Sequence, residues 1–293
     1  MNSMQVIIDP FSGPCPGVQR ALRMVERELD DYGHAVALGQ VIHNAVEINR
    51  LQAKGLVTVD QADAPSPIGD TVREQRVFVR SHGISDVYRR SLQKNHVTLV
   101  DGTCPTVAAI QKKIRRYDAE GFQILIVGKK GHPEVVGLAG CGGREAMVLQ
   151  DEADVEQLDA NGSYYLAAQT TISPEVFSRI IELVKERVKD VVIDDTTCRH
   201  VTRRHEKIRN FARQVDVLLL VGGKNSSNTA VLYRVAHAVN PQTIWIESVS
   251  ELSPEMFSAA SIIGITGSAS TPMGQLEDVK KVVETNMTIE QEK

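Results

Sequence analysis

The sequence predicts an α/β protein of three similar lobes, each a parallel sheet with flanking helices, arranged as a trefoil with pseudo-threefold symmetry around a central site. Short apolar runs alternate with helical runs along all 293 residues, which is typical of parallel sheets. The residues that join each strand to the next helix recur at a nearly constant spacing, which indicates an internal repeat. Ligand sites in parallel sheets gather at the carboxyl ends of strands, so function is expected at these junctions.

Cysteine marks one class of strand-to-helix junction. Three predicted strands are each followed by a cysteine and then by a helix: 6–9 with Cys15 and helix 18–29, 97–101 with Cys104 and helix 107–117, and 191–195 with Cys198 and helix 201–211. Successive cysteines are 89 and 94 residues apart. Pro16 and Pro105 directly follow two of them, which suits a first helical turn.

Two further classes of junction are polar. The first follows predicted strands that end at 42, 127 and 221, and holds His43-Asn44, Gly131-His132-Pro133-Glu134 and Asn225-Ser226-Ser227-Asn228. The second follows strands 77–79, 164–166 and 262–265, and holds Ser81-His82-Gly83, Gln169-Thr170-Thr171 and Gly267-Ser268-Ala269-Ser270-Thr271. Spacings of 89 and 94 residues within the first class, and of 88 and 100 within the second, match the cysteine period.

The order cysteine, polar, polar therefore repeats three times along the chain. It predicts three lobes of ordinary domain size, with joints near residues 95 and 190. Lobe 1 spans 1–95 and carries Cys15, lobe 2 spans 96–190 and carries Cys104, and lobe 3 spans 191–293 and carries Cys198.

Composition excludes several classes of function. The chain is 42% hydrophobic and 24% charged with a net charge of −4, so nothing in its balance favours nucleic acid or an anionic membrane. Aromatic residues make up 4%, too few for a base-stacking platform. Two basic runs, 112–116 and 203–205, fall within helical patterns and are interpreted as solvated helix faces.

The chain is expected to be cytoplasmic. No charged leader precedes an apolar stretch, and no apolar run has the length of a membrane span. Disulfides are rare in the cytosol, so the four cysteines are predicted to be thiols or metal ligands. Glycine-rich nucleotide motifs are absent, so electrons for a redox reaction would come from a partner protein or a diffusible reductant.

Three cysteines at equivalent junctions suit a [4Fe–4S] cluster in which one iron keeps an open position for substrate. Two alternatives remain open from the residues alone: three ordinary buried thiols, and a zinc site with three cysteines and one histidine. Cys141 lies outside the repeat, in Gly140-Cys141-Gly142-Gly143, and is interpreted as a bystander thiol.

The polar junctions indicate an anion site. Ser, Asn and Thr offer neutral donors, helix N-termini add oriented N–H groups, and His43, His82 and His132 add further donors. The alternative for the Ser, Asn and Thr residues is simple helix N-capping. Glu134 is a candidate proton donor if burial raises its pKa, or else a first-turn glutamate that favours the helix dipole.

The motifs, in order and over essentially the full length, resemble those of the 4-hydroxy-3-methylbut-2-enyl diphosphate reductase family of the non-mevalonate isoprenoid route. The segments that carry the resemblance are Cys15-Pro16-Gly17-Val18, Val41-Ile42-His43-Asn44, Ser81-His82-Gly83, Asp101-Gly102-Thr103-Cys104-Pro105, Gly131-His132-Pro133-Glu134-Val135, Gln169-Thr170-Thr171, Asp195-Thr196-Thr197-Cys198, Lys224-Asn225-Ser226-Ser227-Asn228 and Gly267-Ser268-Ala269-Ser270. The resemblance implies reductive removal of the allylic hydroxyl of 4-hydroxy-3-methylbut-2-enyl diphosphate, giving isopentenyl and dimethylallyl diphosphates.

The resemblance also implies the roles of individual residues. It implies a [4Fe–4S] cluster with three cysteine ligands (Cys15, Cys104 and Cys198) and one open iron, with a ferredoxin or flavodoxin as the electron donor. It implies catalytic roles for Glu134, His132 and Thr170. The diphosphate substrate would be bound by His43, His82, His132, Thr170, Ser226, Ser227, Asn228 and Ser270.

Four positions depart from the family pattern. Pro14 and Pro16 flank Cys15 where other residues are common, Gly102 replaces an alanine, and Val136 replaces a second glutamate. None of these changes removes a proposed ligand, although those beside Cys15 can tune a cluster. The departures leave two alternatives to the reductase: a paralogous iron–sulfur reductase or dehydratase with another allylic or hydroxylated substrate, and a zinc- or anion-binding regulatory module.

Overall fold

The computed structural model describes residues 5–59, 76–257 and 260–291. The chain divides into two compact units, one formed by Met1–Gln19, Ile42–Leu51 and Arg199–Lys293 and the other by Arg20–Val41 and Gln52–Cys198. Within the described ranges, no helix is both long and apolar enough to span a membrane.

Three four-stranded sheets, all parallel, form the framework of the described residues. One sheet has the order β3 (Leu56–Val59), β2 (Ala35–Leu38), β4 (Arg76–Val79) and β5 (Thr98–Asp101). The second has the order β7 (Met147–Leu149), β6 (Gln123–Val127), β8 (Ser163–Ala168) and β9 (Asp190–Ile193). The third has the order β11 (Thr243–Ile246), β10 (Val217–Val221), β12 (Ile262–Gly267) and β1 (Gln5–Ile8).

Helices connect and flank these strands. They are α1 (Pro16–Tyr32), α2 (Ala45–Ala53), α3 (Asp86–Lys94), α4 (Pro105–Ala119), α5 (Pro133–Ala139), α6 (Glu152–Glu156), α7 (Pro174–Arg187), α8 (Arg199–Ala212), α9 (Ser227–His237) and α10 (Met273–Gln291). The predicted class, α/β with three parallel sheets and flanking helices, is confirmed, as are the three helices that follow the cysteines.

Both faces of the central strands are buried, which explains their continuous apolar runs. In β6, Leu125 and Val127 pack into one hydrophobic core, while Ile124 and Ile126 pack into another on the opposite face. Strand β10 is buried at every residue and divides its side chains between two cores in the same way. Each such side chain contributes roughly 1.5–3 kcal/mol of burial free energy, so these strands anchor the junctions that follow them.

The sheets do not follow the predicted lobe boundaries at 95 and 190, because the first strand after each boundary belongs to the preceding sheet. Strand β5 joins the sheet of β2 to β4, and β9 joins the sheet of β6 to β8. The first strand, β1, pairs with β12 at the other end of the chain. Each sheet therefore has, at one edge, a strand that leads to a cysteine: β5 to Cys104, β9 to Cys198 and β1 to Cys15.

Two details of the sequence prediction differ from the structure. The strand expected to reach Ile42 ends at Leu38, because Gly39 has a φ of +71° that interrupts extended backbone. Each sheet also carries an outer strand, β3, β7 or β11, that the apolar pattern did not single out.

Candidate active site

The three cysteine junctions share one backbone design. In each, an aspartate side chain accepts a hydrogen bond from the N–H two residues later: Asp9 from Phe11 at 2.9 Å, Asp101 from Thr103 at 3.0 Å, and Asp195 from Thr197 at 3.0 Å. Each cysteine N–H then donates to a carbonyl in the neighbouring polar junction: Cys15 to Ala269 at 3.4 Å, Cys104 to Ser81 at 3.0 Å, and Cys198 to Thr170 at 2.9 Å. The repeat in the sequence is thus also a repeat of hydrogen bonds.

The Cys15 junction is three residues longer than the other two, since Cys15 follows Asp9 by six positions whereas Cys104 and Cys198 follow their aspartates by three. Ser12 holds this longer loop against the end of β12. Its hydroxyl lies 3.0 Å from that of Thr266 and accepts the N–H of Gly267 at 3.1 Å. Gly13 adopts a φ of +104° in this loop, a conformation that favours glycine. Local side-chain bonds therefore fix a loop that the shorter junctions do not need.

The cysteines of the repeat differ from Cys141. Cys15, Cys104 and Cys198 are partly exposed and form no disulfide within the described residues, which fits metal ligation. Cys141 is buried and its Sγ donates to the Gly137 carbonyl at 3.1 Å. Burial raises the pKa of the Cys141 thiol to about 12, so it stays protonated at neutral pH. Its surroundings therefore favour the bystander interpretation.

Two hydrogen bonds join Glu134, which lies beyond the end of β6, to Thr170, which lies beyond the end of β8. Glu134 lies in the first turn of α5 and is 3% exposed. Its Oε1 accepts the Thr170 N–H at 2.6 Å and its Oε2 accepts the Thr170 hydroxyl at 2.8 Å. Burial raises the pKa of Glu134 above its ordinary value, against the opposing effect of the two Thr170 hydrogen bonds. The carboxyl group therefore retains a proton more readily than an exposed glutamate does.

His132 is the N-cap of α5. Its Nδ1 accepts the N–H of Glu134 at 3.2 Å, so in the neutral ring the proton is on Nε2, which remains a donor. The ring of His82 meets that of His132 edge to face, with 5.4 Å between centroids. Two of the three predicted histidines thus lie side by side within one unit.

A second polar group lies at the ends of β10 and β12. The Ser270 hydroxyl donates to the carbonyl oxygen of His43 at 3.3 Å. Ser226 caps α9, since its hydroxyl accepts the Thr229 N–H at 3.2 Å, as the capping alternative predicts for this residue. Neither amide atom of Asn228, which is 9% exposed, has a hydrogen-bond partner among the described residues. An unsatisfied buried amide is costly, so Asn228 indicates a place for a polar ligand.

The predicted site residues are distributed over both compact units. One unit contains Cys104, Cys198, His82, His132, Glu134 and Thr170, and the other contains Cys15, His43, Ser226, Ser227, Asn228 and Ser270. All lie at or just beyond the carboxyl ends of strands. Their roles as ligands and catalysts stay predictions.

Sequence reasoning missed the partners Asp9 and Arg204. The run that includes Arg204 was predicted to be a solvated face, and the exposed Arg203 fits that prediction, but Arg204 and His205 are turned inwards. Arg204 Nη2 lies 2.6 Å from Asp9 Oδ2, with the side chains 11% and 0% exposed. The spacing of residues in α8 could have indicated this inward orientation. Arg204 follows the buried Val201 by three residues and precedes the buried Ile208 by four, which places it on the apolar stripe of the helix.

Gly102, the position that departs from the expected alanine, packs too tightly for a side chain. A Cβ at this position would collide with the Phe78 ring and the Val79 carbonyl oxygen. We expect Gly102→Ala to lower the free energy of unfolding by about 1–3 kcal/mol through overpacking. Urea unfolding measures this loss.

The matched control is Gly274→Ala, since a Cβ at Gly274 in α10 meets nothing within 4 Å. Alanine is favoured over glycine in a helix by about 1 kcal/mol, so this variant should be at least as stable as the unaltered protein. Equal stability of Gly102→Ala and the unaltered protein would contradict the packing argument.

Comparison with protein families gives a match over almost the whole chain. The model of the family described as LytB protein matches residues 6–284. A relative in Aquifex aeolicus, named 4-hydroxy-3-methylbut-2-enyl diphosphate reductase, is 34% identical over 96% of each chain. A relative of the same name in Porphyromonas gingivalis is 38% identical over 93% of this chain and 96% of its own.

Solved structures give the same result. One is described as (E)-4-hydroxy-3-methyl-but-2-enyl diphosphate reductase, the terminal enzyme of the non-mevalonate pathway; it is 33% identical, with a TM-score of 0.72 over 96% of this chain and 99% of its own. A Plasmodium falciparum structure described as E-1-hydroxy-2-methyl-but-2-enyl-4-diphosphate reductase has a TM-score of 0.81 over 96% of this chain and 88% of its own. At 22% identity, the second supports the fold alone.

Proposed function

The chain belongs to the LytB protein family, and from that premise we propose that it catalyses the reductive dehydroxylation of 4-hydroxy-3-methylbut-2-enyl diphosphate. The products are isopentenyl diphosphate and dimethylallyl diphosphate, and the reaction is the last step of the non-mevalonate isoprenoid pathway. Replacing the hydroxyl by hydrogen consumes two electrons and two protons and releases water. The protein must therefore supply a route for each.

For electrons, we propose that Cys15, Cys104 and Cys198 hold a [4Fe–4S] cluster with three thiolate ligands and one open iron. Three partly exposed cysteines outside any disulfide of the described residues, on matching backbone loops, are a suitable donor set. The cluster supplies electrons and a Lewis-acidic iron when bound. A ferredoxin or flavodoxin is the proposed donor, and the cytosol the proposed compartment because it keeps thiols reduced. No nucleic acid or membrane is a proposed partner.

For protons, the observation that carries the proposal is the Glu134–Thr170 pair. The Thr170 hydroxyl lies 2.8 Å from Glu134 Oε2, and the Thr170 carbonyl accepts the N–H of Cys198 at 2.9 Å. When Glu134 is protonated on Oε2, the direction of this hydrogen bond reverses: Oε2 donates to Thr170 Oγ1, and the Thr170 hydroxyl donates its own proton to the departing hydroxyl, so that water leaves. Burial raises the pKa of Glu134 and so favours the protonated form that this relay uses.

For the diphosphate, we propose His43, His82, His132, Ser226, Ser227, Asn228 and Ser270 as the binding residues, with Thr170 contacting the substrate as well. The Nε2–H of neutral His132 is a donor for an anionic oxygen. Asn228 offers a buried amide whose hydrogen bonds would be completed by the ligand. Helix N-termini at α5 and α9 add a favourable field for negative charge.

The cluster is tested by substituting cysteines under anaerobic conditions. We expect the unaltered protein to be brown with about four irons per chain, and Cys104→Ser or Cys198→Ser to lose most of that iron and visible absorption. Cys141→Ser is the matched control and should keep both, because serine can also donate to the Gly137 carbonyl. A colourless zinc protein would instead support a regulatory module.

The substrate is tested with the iron-loaded protein, reduced methyl viologen and the hydroxylated butenyl diphosphate. Turnover to the two five-carbon diphosphates, detected by mass spectrometry, is the expected result. A fully loaded protein that leaves this substrate unchanged would refute the proposed reaction and favour a paralogue with a different allylic or hydroxylated substrate.

A further inference from the structure

A cavity of about 350 Å³ opens beside Cys15 in the unit that contains β1 and α8. One wall is the loop that carries Cys15, including Phe11 and Pro14. The exposed face of α8, including Arg203 and Lys207, also lines the cavity. The proposed cluster ligand Cys15 and the cations Arg203 and Lys207 therefore border the same space.

Helix α8 is strongly basic in a chain that is acidic overall. It carries five cations, Arg199, Arg203, Arg204, Lys207 and Arg209, against a single acid, Glu206, while the whole chain has a net charge of −4. Arg204 is neutralised by Asp9. Arg203 and Lys207 are four residues apart on the exposed face and have no ion-pair partner in the part of the chain that the structure describes.

The other basic run of the chain behaves differently. In α4, Lys113 pairs with Asp194 at 2.7 Å, Arg115 with Asp86 at 2.6 Å, and Arg116 with Glu120 at 2.7 Å. Those charges are balanced within the protein itself. These three paired cations of α4 contrast with Arg203 and Lys207 of α8.

An aromatic side chain completes the face. Phe11 is 53% exposed, and the Lys207 ammonium lies 3.6 Å from the centre of its ring. Aromatic side chains and arginine are enriched at protein interfaces, whereas a small anion needs no exposed ring. Together, Arg203, Lys207 and Phe11 form what we call the α8 basic face.

We propose that the α8 basic face is the docking surface for an acidic one-electron carrier protein. A positive patch favours a negatively charged partner and raises the rate of encounter, as required for a carrier that must bind twice per turnover. Docking here brings the carrier against the Cys15 loop, and the small size of the face suits a transient electron-transfer contact. The inference rests on the proposed function, because only a redox reaction needs such a carrier.

The test replaces both cations in one variant, Arg203→Glu with Lys207→Glu. The control, Lys112→Glu with Lys185→Glu, changes the net charge equally at exposed positions on α4 and α7. Cluster-loaded proteins are titrated calorimetrically with an acidic plant-type [2Fe–2S] ferredoxin at low and high salt. Turnover is then measured with reduced ferredoxin and, separately, with reduced methyl viologen.

We expect the α8 variant to bind ferredoxin at least about tenfold more weakly at low salt and to show a flatter salt dependence. Its turnover with ferredoxin should fall in parallel, while its turnover with methyl viologen stays within about twofold of the unaltered protein. The control pair should retain ferredoxin binding. This combination would assign the face to the carrier.

Three outcomes would overturn the docking proposal: unchanged ferredoxin binding by the α8 variant, an equal loss in the control pair, or a raised KM for the diphosphate substrate with methyl viologen. The last would assign the cations to the substrate. Failure of the proposed reaction can be told apart from failure of the docking proposal. If the reaction is wrong, the unaltered protein shows no turnover with methyl viologen, whatever the ferredoxin titrations show.

Discussion

Glu134→Gln is expected to lower turnover by about 10²- to 10⁴-fold while the protein remains folded and retains its iron. Glutamine has the same shape, and its amide oxygen can still accept the Thr170 N–H, but it cannot supply a proton. The measurement is anaerobic steady-state turnover with methyl viologen, together with iron content and the visible spectrum. Near-normal turnover by the variant would remove Glu134 from the proton route.

The matched control separates chemistry from helix electrostatics. Glu175 also lies in the first turn of its helix, α7, but is exposed. Glu175→Gln loses the same favourable interaction with a helix dipole, worth about 0.3–1 kcal/mol, without touching Thr170. It should therefore turn over normally. A similar loss in both variants would mean that Glu134 acts only through helix stability.

The pH dependence of stability gives an independent check on Glu134. Since burial raises its pKa, the folded state binds a proton that the unfolded chain, with a glutamate pKa of about 4.3, releases more easily. That stabilising contribution is fully present below the unfolded pKa and is lost as pH rises through the folded pKa. As pH rises above about 4, the unaltered protein should lose this contribution, whereas Glu134→Gln has no such proton to lose. The unfolding midpoint of Glu134→Gln should therefore rise relative to that of the unaltered protein.

Arg204→Met is expected to lower the free energy of unfolding by about 3–5 kcal/mol, because it leaves a buried carboxylate without its counter-ion. Asp9 is fully buried, and besides Arg204 its Oδ2 accepts the Thr266 hydroxyl at 2.8 Å. Arg204 also donates to the hydroxyl of Thr266. Thr266 in turn contacts Ser12 of the Cys15 loop, so the loss should loosen that loop. Urea unfolding and iron retention measure the two effects.

Two variants show whether the charge itself is responsible. Arg203→Met removes an exposed arginine of the same helix and should change stability by no more than about 0.5 kcal/mol. Adding Asp9→Asn to Arg204→Met removes the uncompensated charge while an amide oxygen still accepts the Phe11 N–H, so part of the lost stability should return. No recovery in the double variant would indicate lost packing rather than an unpaired charge.

Several features of the site were predictable because their signals are local. Apolar runs predict the buried strands, since a strand covered on both faces needs apolar residues at every position. Cys104 and Cys198 sit three residues after an aspartate that forms the same turn, and the sequence shows this equivalence directly as a repeat. The polar residues that follow β6, β8, β10 and β12 were placed at strand ends for the same reason.

The sequence by itself determined the strands that precede the cysteine and polar junctions, the threefold repeat of those junctions, and the family. Only the tertiary structure decided that β1 pairs with β12 as an edge strand of the third sheet, that Arg204 turns inwards to Asp9, and that Glu134 is buried against Thr170. The physical reason is the range of the interactions. Backbone preference and apolar periodicity act over a few neighbouring residues, whereas strand pairing, ion-pair burial and a raised pKa depend on groups that only folding brings together.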